Sequence, residues 1–257
     1  MQNILLGFSS AKIGGHSARS MMLLEMDTLV HALPPTITKN DFTKAIIEEN
    51  LLNKPTLSSR KKSFRHLMDL YGLDPSKAMF RVFWDFAHAD IDSLPQLCLV
   101  CAYARDPQLR QSFELIRTLR LGEVLVRADM EQHLENGFPA RFSCATKASM
   151  ARNVDTSWTF GGHLEGRVKK TRRLPQPRPI SAAYAMFVGY LTGLRGERLL
   201  DSLYAALVAS NRAQLQAALS LASAKELISI KQAAGIVEFD FSNLLTQAEQ
   251  DLIHESN

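Results

Sequence analysis

Apolar residues recur every three to four positions through most of the chain, the spacing of a helix that buries one side. Between Ser17 and Leu33, Met22, Leu23, Met26, Leu29, Val30 and Leu33 form one stripe, which Pro34 and Pro35 end. Such a methionine-rich stripe is read as core. Phe42, Ile46, Ile47 and Leu51 predict a second helix over 38–52, capped by Thr38 or Asn40. Phe64, Leu67, Met68 and Tyr71 stand at i, i+3, i+4 and i+7, and predict a third helix begun by Ser58 or Ser59.

Residues 76–136 continue the helical period. SKAMFRVFWDFAHA is followed by LPQLCLVCAYAR and then by DPQLRQSFELIRTLRLG, where Asp106 caps a helix and Pro107 presets its first φ. Phe80, Phe83, Trp84, Phe86, Leu97, Tyr103, Leu109, Phe113 and Ile116 are the expected core of this stretch. VLVRADMEQHLENG predicts a further helix ending at Asn136 and Gly137, with FPARF after it.

From Ser143 the pattern changes. Ser143 caps a helix whose Ala148, Ala151, Val154 and Trp158 point inward and which Gly161 and Gly162 stop in a left-handed turn. A basic run follows, Arg167, Lys169, Lys170, Arg172, Arg173 and Arg178, without one acid and alternating with Val168, Thr171 and Leu174. A helix followed by a basic extended hairpin is how a winged helix meets nucleic acid. Beyond Pro179 lie an apolar helix (ISAAYAMFVGYLTGL), GERLLDSLYAALV, a helix capped by Asn211, and two alternating strands, LISIKQ and IVEFDF, hinged at Ala234 and Gly235. A short helix or frayed tail closes residues 246–257. The fold class is therefore mainly α with small β-hairpins. A helix-turn-helix-like part (1–75) precedes a helical body (76–140), and a winged-helix-like part with two hairpins (141–257) follows.

Composition adds three points. With 46% hydrophobic and 22% charged residues the chain is globular rather than disordered. Its net charge of +4 is modest, but the cations gather at residues 60–66 and 167–178 while the acids are scattered. Arg60, Lys61, Lys62 and Arg65 crowd the start of their helix, against its dipole, so they do not serve the helix and a phosphate would reward them. Three cysteines make no disulfide framework and point to the cytoplasm. ILLGF is too short for a signal-peptide core, and no run of about 18 apolar residues predicts a membrane span.

Motifs of catalysis are missing: no Walker loop, G-x-G-x-x-G, H-E-x-x-H or nucleophile elbow occurs. Cys98 and Cys101 form a C-x-x-C in an apolar stretch without a second ligand pair, so neither a metal nor another cofactor is expected. Lys231, Glu238 and Asp240 are too few for a nuclease site. His66 and His163 are the histidines to watch, as phosphate contacts. Lys147, Arg152 and Asn153 are the only polar readers on helix 143–160, which suggests backbone and shape contacts over base readout.

The order of these features resembles the BrxA-type proteins of bacteriophage-exclusion (BREX) systems, most strongly over IIEENLLNKPTLSSRKKSFRHL and TKASMARNVDTSWTFGGHL, within Ser17 to Phe241. The resemblance implies a small helical, winged-helix-like protein that binds double-stranded DNA, without enzymatic activity. It places Arg60, Lys61, Lys62 and Arg65, with Lys147, Arg152, Lys169, Lys170, Arg172 and Arg173, toward the duplex; Arg167 and Arg178 join them from the basic run. Other subunits of a defence complex are the expected protein partners. Two further readings stand beside this one: a structural adaptor that assembles larger defence enzymes, and an RNA-binding helical module.

Overall fold

A computed structural model of the chain describes residues 2–138, 142–233 and 236–255, so the hinge expected at Ala234 and Gly235 and the Pro139–Arg141 part of FPARF lie outside the described residues. The fold is mainly helical with small antiparallel sheets. After a short α1 (Gln2–Leu5), an extended segment with one 3-10 turn (Gly15–Ser17) leads into α2 (Leu23–Ala32). The stripe beginning at Ser17 predicted a longer helix. Met22 instead turns left-handed (φ 50°), and Met21 and Met22 bury their side chains from non-helical backbone.

α3 (Lys39–Thr43) is capped by Thr38 and passes directly into a π-helical turn (Lys44–Glu48). α4 (Leu57–Tyr71) starts one residue before the predicted caps: the Thr56 hydroxyl accepts the Ser59 N–H, and the Ser59 hydroxyl accepts the Thr56 N–H. α5 (Ala78–Ala89), α6 (Leu94–Arg105) and α7 (Pro107–Thr118) follow, the last capped by Asp106 as its sequence predicts. α6 is the central post. From Leu94 to Ala104 all but Pro95 are buried, and α2, α4, α5, α7, α9 (Cys144–Phe160), α10 (Pro179–Leu191) and α12 (Leu203–Val208) pack around it.

Two aromatic groups seal this core. Trp84 stacks on Phe80 and meets Phe42 edge-on, while Phe113 stacks on Trp158 at 4.9 Å between centroids. Strand β1 (Val124–Leu125) precedes α8 (Arg127–Gly137); β2 (Leu164–Glu165) and β3 (Lys170–Arg172) follow α9. The three make one antiparallel sheet in the order β1-β3-β2, with Val124 opposite Thr171 and Leu164 opposite Arg172. α11 (Glu197–Leu200) and α12 are separate helices because Ser202 breaks the run and caps the second. Asn211 caps α13 (Arg212–Ala224), β4 (Ser229–Ala233) and β5 (Ile236–Asp240) form the second hairpin, and α14 (Gln247–His254) closes the chain. Buried side chains from Leu6 to Ile253 join one continuous core. No helix among the described residues is long and apolar enough to cross a membrane.

Candidate nucleic-acid interface

The first basic element lies on α4. Lys61, Lys62 and Arg65 are exposed, no acid pairs with them among the described residues, and with Leu57 and Ser58 they line a shallow concavity. Lys61 and Lys62 stand near the positive end of the helix dipole, which offers them no compensation. Arg60 behaves differently. Its guanidinium turns back to donate to the carbonyls of Ile47 (3.2 Å) and Glu48 (3.4 Å), closing the end of the preceding π-turn. One of the four expected cations therefore serves the fold.

The second basic element divides more sharply. Arg152 is exposed on α9, and Arg167 and Lys169 project from the turn between β2 and β3 on either side of a nearly fully exposed Val168. The rest of the run has partners within the protein, and Arg172 alone of them is buried. Arg172 is buried at the root of the β2–β3 hairpin, where it donates to His163 O (3.0 Å), lies 3.2 Å from His163 Nδ1, and also meets Arg173 O. This corrects the expectation of an exposed row: β3 alternates faces, and position 172 falls on the inner one.

Three more cations are held locally. Lys170 donates to Gly166 O at 2.7 Å across the turn, Arg173 pairs loosely with Glu165, and Lys147 pairs with Glu135 at 2.7 Å. Arg178 lies beyond the β2–β3 hairpin and bridges Asp90 and Asp92 before α6. A neighbouring acid cancels part of the charge that the sequence assigns to each of Lys147, Arg173 and Arg178.

His163 is no phosphate contact either. It is fully buried, and its Nε2 lies 2.8 Å from Leu207 O while Nδ1 faces the Arg172 guanidinium. Burial first, and Arg172 beside it, push its pKa down to about 3, so the ring is neutral and Nε2–H donates to the carbonyl. His66 is half-buried on α4. Burial lowers its pKa, Arg19 and Arg65 lower it further, and Asp69 opposes them ahead of the smaller effect of Lys62.

That role for Arg19 exposes what the sequence reading missed. The segment Gly14–Met22, expected as a glycine loop and the first turn of a helix begun at Ser17, is instead wedged between α4 and α9. Gly14 N donates to Gln108 Oε1 and His16 N to Asp106 Oδ2; Asn153 donates to His16 O. At Met21 the peptide is held from both sides, its N–H donating to Ser157 Oγ at 2.8 Å and its carbonyl accepting from the Tyr71 hydroxyl. A Cβ on Gly14 would collide with the Asp106 carboxylate and one on Gly15 would press on Leu70, which is why the pair is Gly-Gly.

Within this joint Ser157, His16 and Asp106 stand in line, Oγ to Nε2 at 2.8 Å and Nδ1 to Oδ2 at 2.9 Å, the last contact poorly aligned as a hydrogen bond. The order is that of a nucleophile, base and acid. Each member is buried, however, and Ser157 Oγ is capped by the Met21 N–H, so no carbonyl carbon reaches it. The three tie the N-terminal segment to α7 and α9. Burial opposes ionisation of Asp106, but His16 beside it and the N–H groups of His16 and Leu109 outweigh that and hold its pKa down.

No family model matches this chain, and no curated protein matches it. Cys98 and Cys101 are buried inside α6, and no group of three His, Cys, Asp or Glu that could hold a metal occurs among the described residues. On the second hairpin Glu238 stands directly opposite Lys231 and Asp240 accepts the Ser242 N–H, so those acids have local partners.

Proposed function

We propose that this chain is a non-enzymatic protein that binds double-stranded DNA, chiefly through phosphates, as an accessory component of a phage-defence system of the BREX type. The observation that carries the reading is the group of exposed cations without an acid partner among the described residues, Arg167 and Lys169 on the β2–β3 turn with Arg152 on the adjoining helix, and Lys61, Lys62 and Arg65 on α4. The element order α7-β1-α8-α9-β2-β3 with sheet order β1-β3-β2 supports a winged-helix arrangement. In it α9 takes the place of the groove-facing helix and the β2–β3 turn that of the wing. The closed Ser157–His16–Asp106 joint favours a binding protein over a hydrolase. The defence assignment rests on the sequence resemblance alone.

Fluorescence anisotropy on a short duplex over a salt series tests this. Affinity is expected to fall steeply with salt, and the double substitution Arg167→Ala, Lys169→Ala to weaken binding to all sequences alike while reducing the magnitude of the salt slope by about 2. Binding that is absent at low salt, or indifferent to salt, overturns the proposal. Preference for structured RNA over duplex in competition would replace it with the RNA-binding reading.

A further inference from the structure

We infer that Arg19, displayed by the braced N-terminal segment that packs on α4, extends the basic cluster of that helix into a seat for a nucleic-acid phosphate diester. The inference rests on the DNA-binding reading above and extends it to a residue that the sequence did not place among the basic elements.

The geometry begins with how firmly Arg19 is held. Its own N–H and that of Ala18 donate to Gly15 O at 2.9 Å, His16 and Gly14 are pinned to the start of α7, and Met21 is clamped between Tyr71 of α4 and Ser157 of α9. The backbone on both sides of Arg19 is therefore fixed. Its side chain is exposed, and no acid pairs with it among the described residues. Lys62, His66 and Leu70 follow one another at four-residue spacing along α4, so they share a face, and Leu70 is where that face meets Gly15 of the segment. Arg65 stands beside them. His66 feels Arg19, Arg65 and Lys62 together, and the acid that opposes them there is Asp69.

Like charges gathered with so little compensation repel one another, and a phosphate removes that repulsion while accepting hydrogen bonds from the guanidinium groups. A fixed backbone lowers the ordering cost of the contact, since Arg19 has only its own rotamers to settle. The segment thus carries part of the surface whose two supporting helices it braces.

Full-length protein carrying Arg19→Ala is compared with wild type by duplex anisotropy over a salt series, with thermal unfolding as a control. The expected result is a loss of affinity of about 3–10-fold at low salt and a salt slope smaller in magnitude by about 1, with the melting temperature unchanged. Arg19→Lys, which keeps the charge, should retain the slope; if Arg19→Ala fails to fold, Arg19→Gln takes its place. Unchanged affinity and slope in the neutral variant, while Arg167→Ala, Lys169→Ala still weakens binding, overturns the seat and leaves the DNA-binding reading standing. Wild-type protein that does not bind duplex overturns both.

Discussion

Asp155 is buried on α9, its Oδ1 without a hydrogen-bond partner, while Arg127 and Lys170 lie within electrostatic reach. Burial pushes its pKa up to about 6 despite those two cations. An unfolded aspartate titrates near 3.9, so between those values the folded chain holds a proton that the unfolded chain has lost, and stability falls as pH rises through that window. Asp155→Asn should therefore raise stability at pH 7.5, by roughly 3 kcal/mol at most, and flatten the profile between pH 4 and 6. Urea unfolding at several pH values checks this; a variant less stable than wild type at pH 7.5 would show that the ionised carboxylate contributes to the fold. At this scale the sequence is legible where one residue acts on its immediate neighbours. Asp106, Ser143 and Asn211 cap the helices that their positions predict. The partners of Gly14, His16 and Arg19 lie some 50 to 140 positions away along the chain, and no local pattern could indicate them.

Among the elements, the β2–β3 hairpin separates two kinds of basic residue that look alike in sequence. Arg172 supports the strand from below, through its contacts with His163, whereas Lys169 stands in solvent. Arg172→Ala removes a charged donor from buried acceptors and should cost about 1.5–3 kcal/mol of folding stability, while Lys169→Ala should change it by less than about 0.5 kcal/mol. Chemical denaturation of the two variants decides, and equal effects would mean that the buried hydrogen bonds are not holding the hairpin. A substitution of the whole basic run would confound binding with folding. Most helices and both hairpins are legible in the sequence, but α1 carries no periodicity to show it, and β1 reads as helix because a strand of two residues is defined by its partners, Thr171 and Lys170, rather than by its own pattern. The basic hairpin likewise gave its location but not its inner and outer faces, since mostly cationic residues carry no contrast between them.

Across the whole molecule the buried side chains form one body around α6, although the sequence suggests three successive parts. The two tryptophans report on different regions, Trp84 beside Phe42 and Phe80 and Trp158 beside Phe113. A shared core predicts that Trp84→Phe and Trp158→Phe proteins, each followed by its remaining tryptophan, show a fluorescence transition coincident with loss of helix by circular dichroism. Transitions separated in urea concentration in either protein would mean that the parts unfold independently. The cysteines carry a different consequence of the same architecture. Cys98 and Cys101 lie inside the central helix with their thiols pushed away from ionisation by burial, while Cys144 is exposed at the first turn of α9. The folded chain thus offers a maleimide a single attachment point without any engineering, and a dye placed there sits at the leading end of the helix proposed to face the duplex.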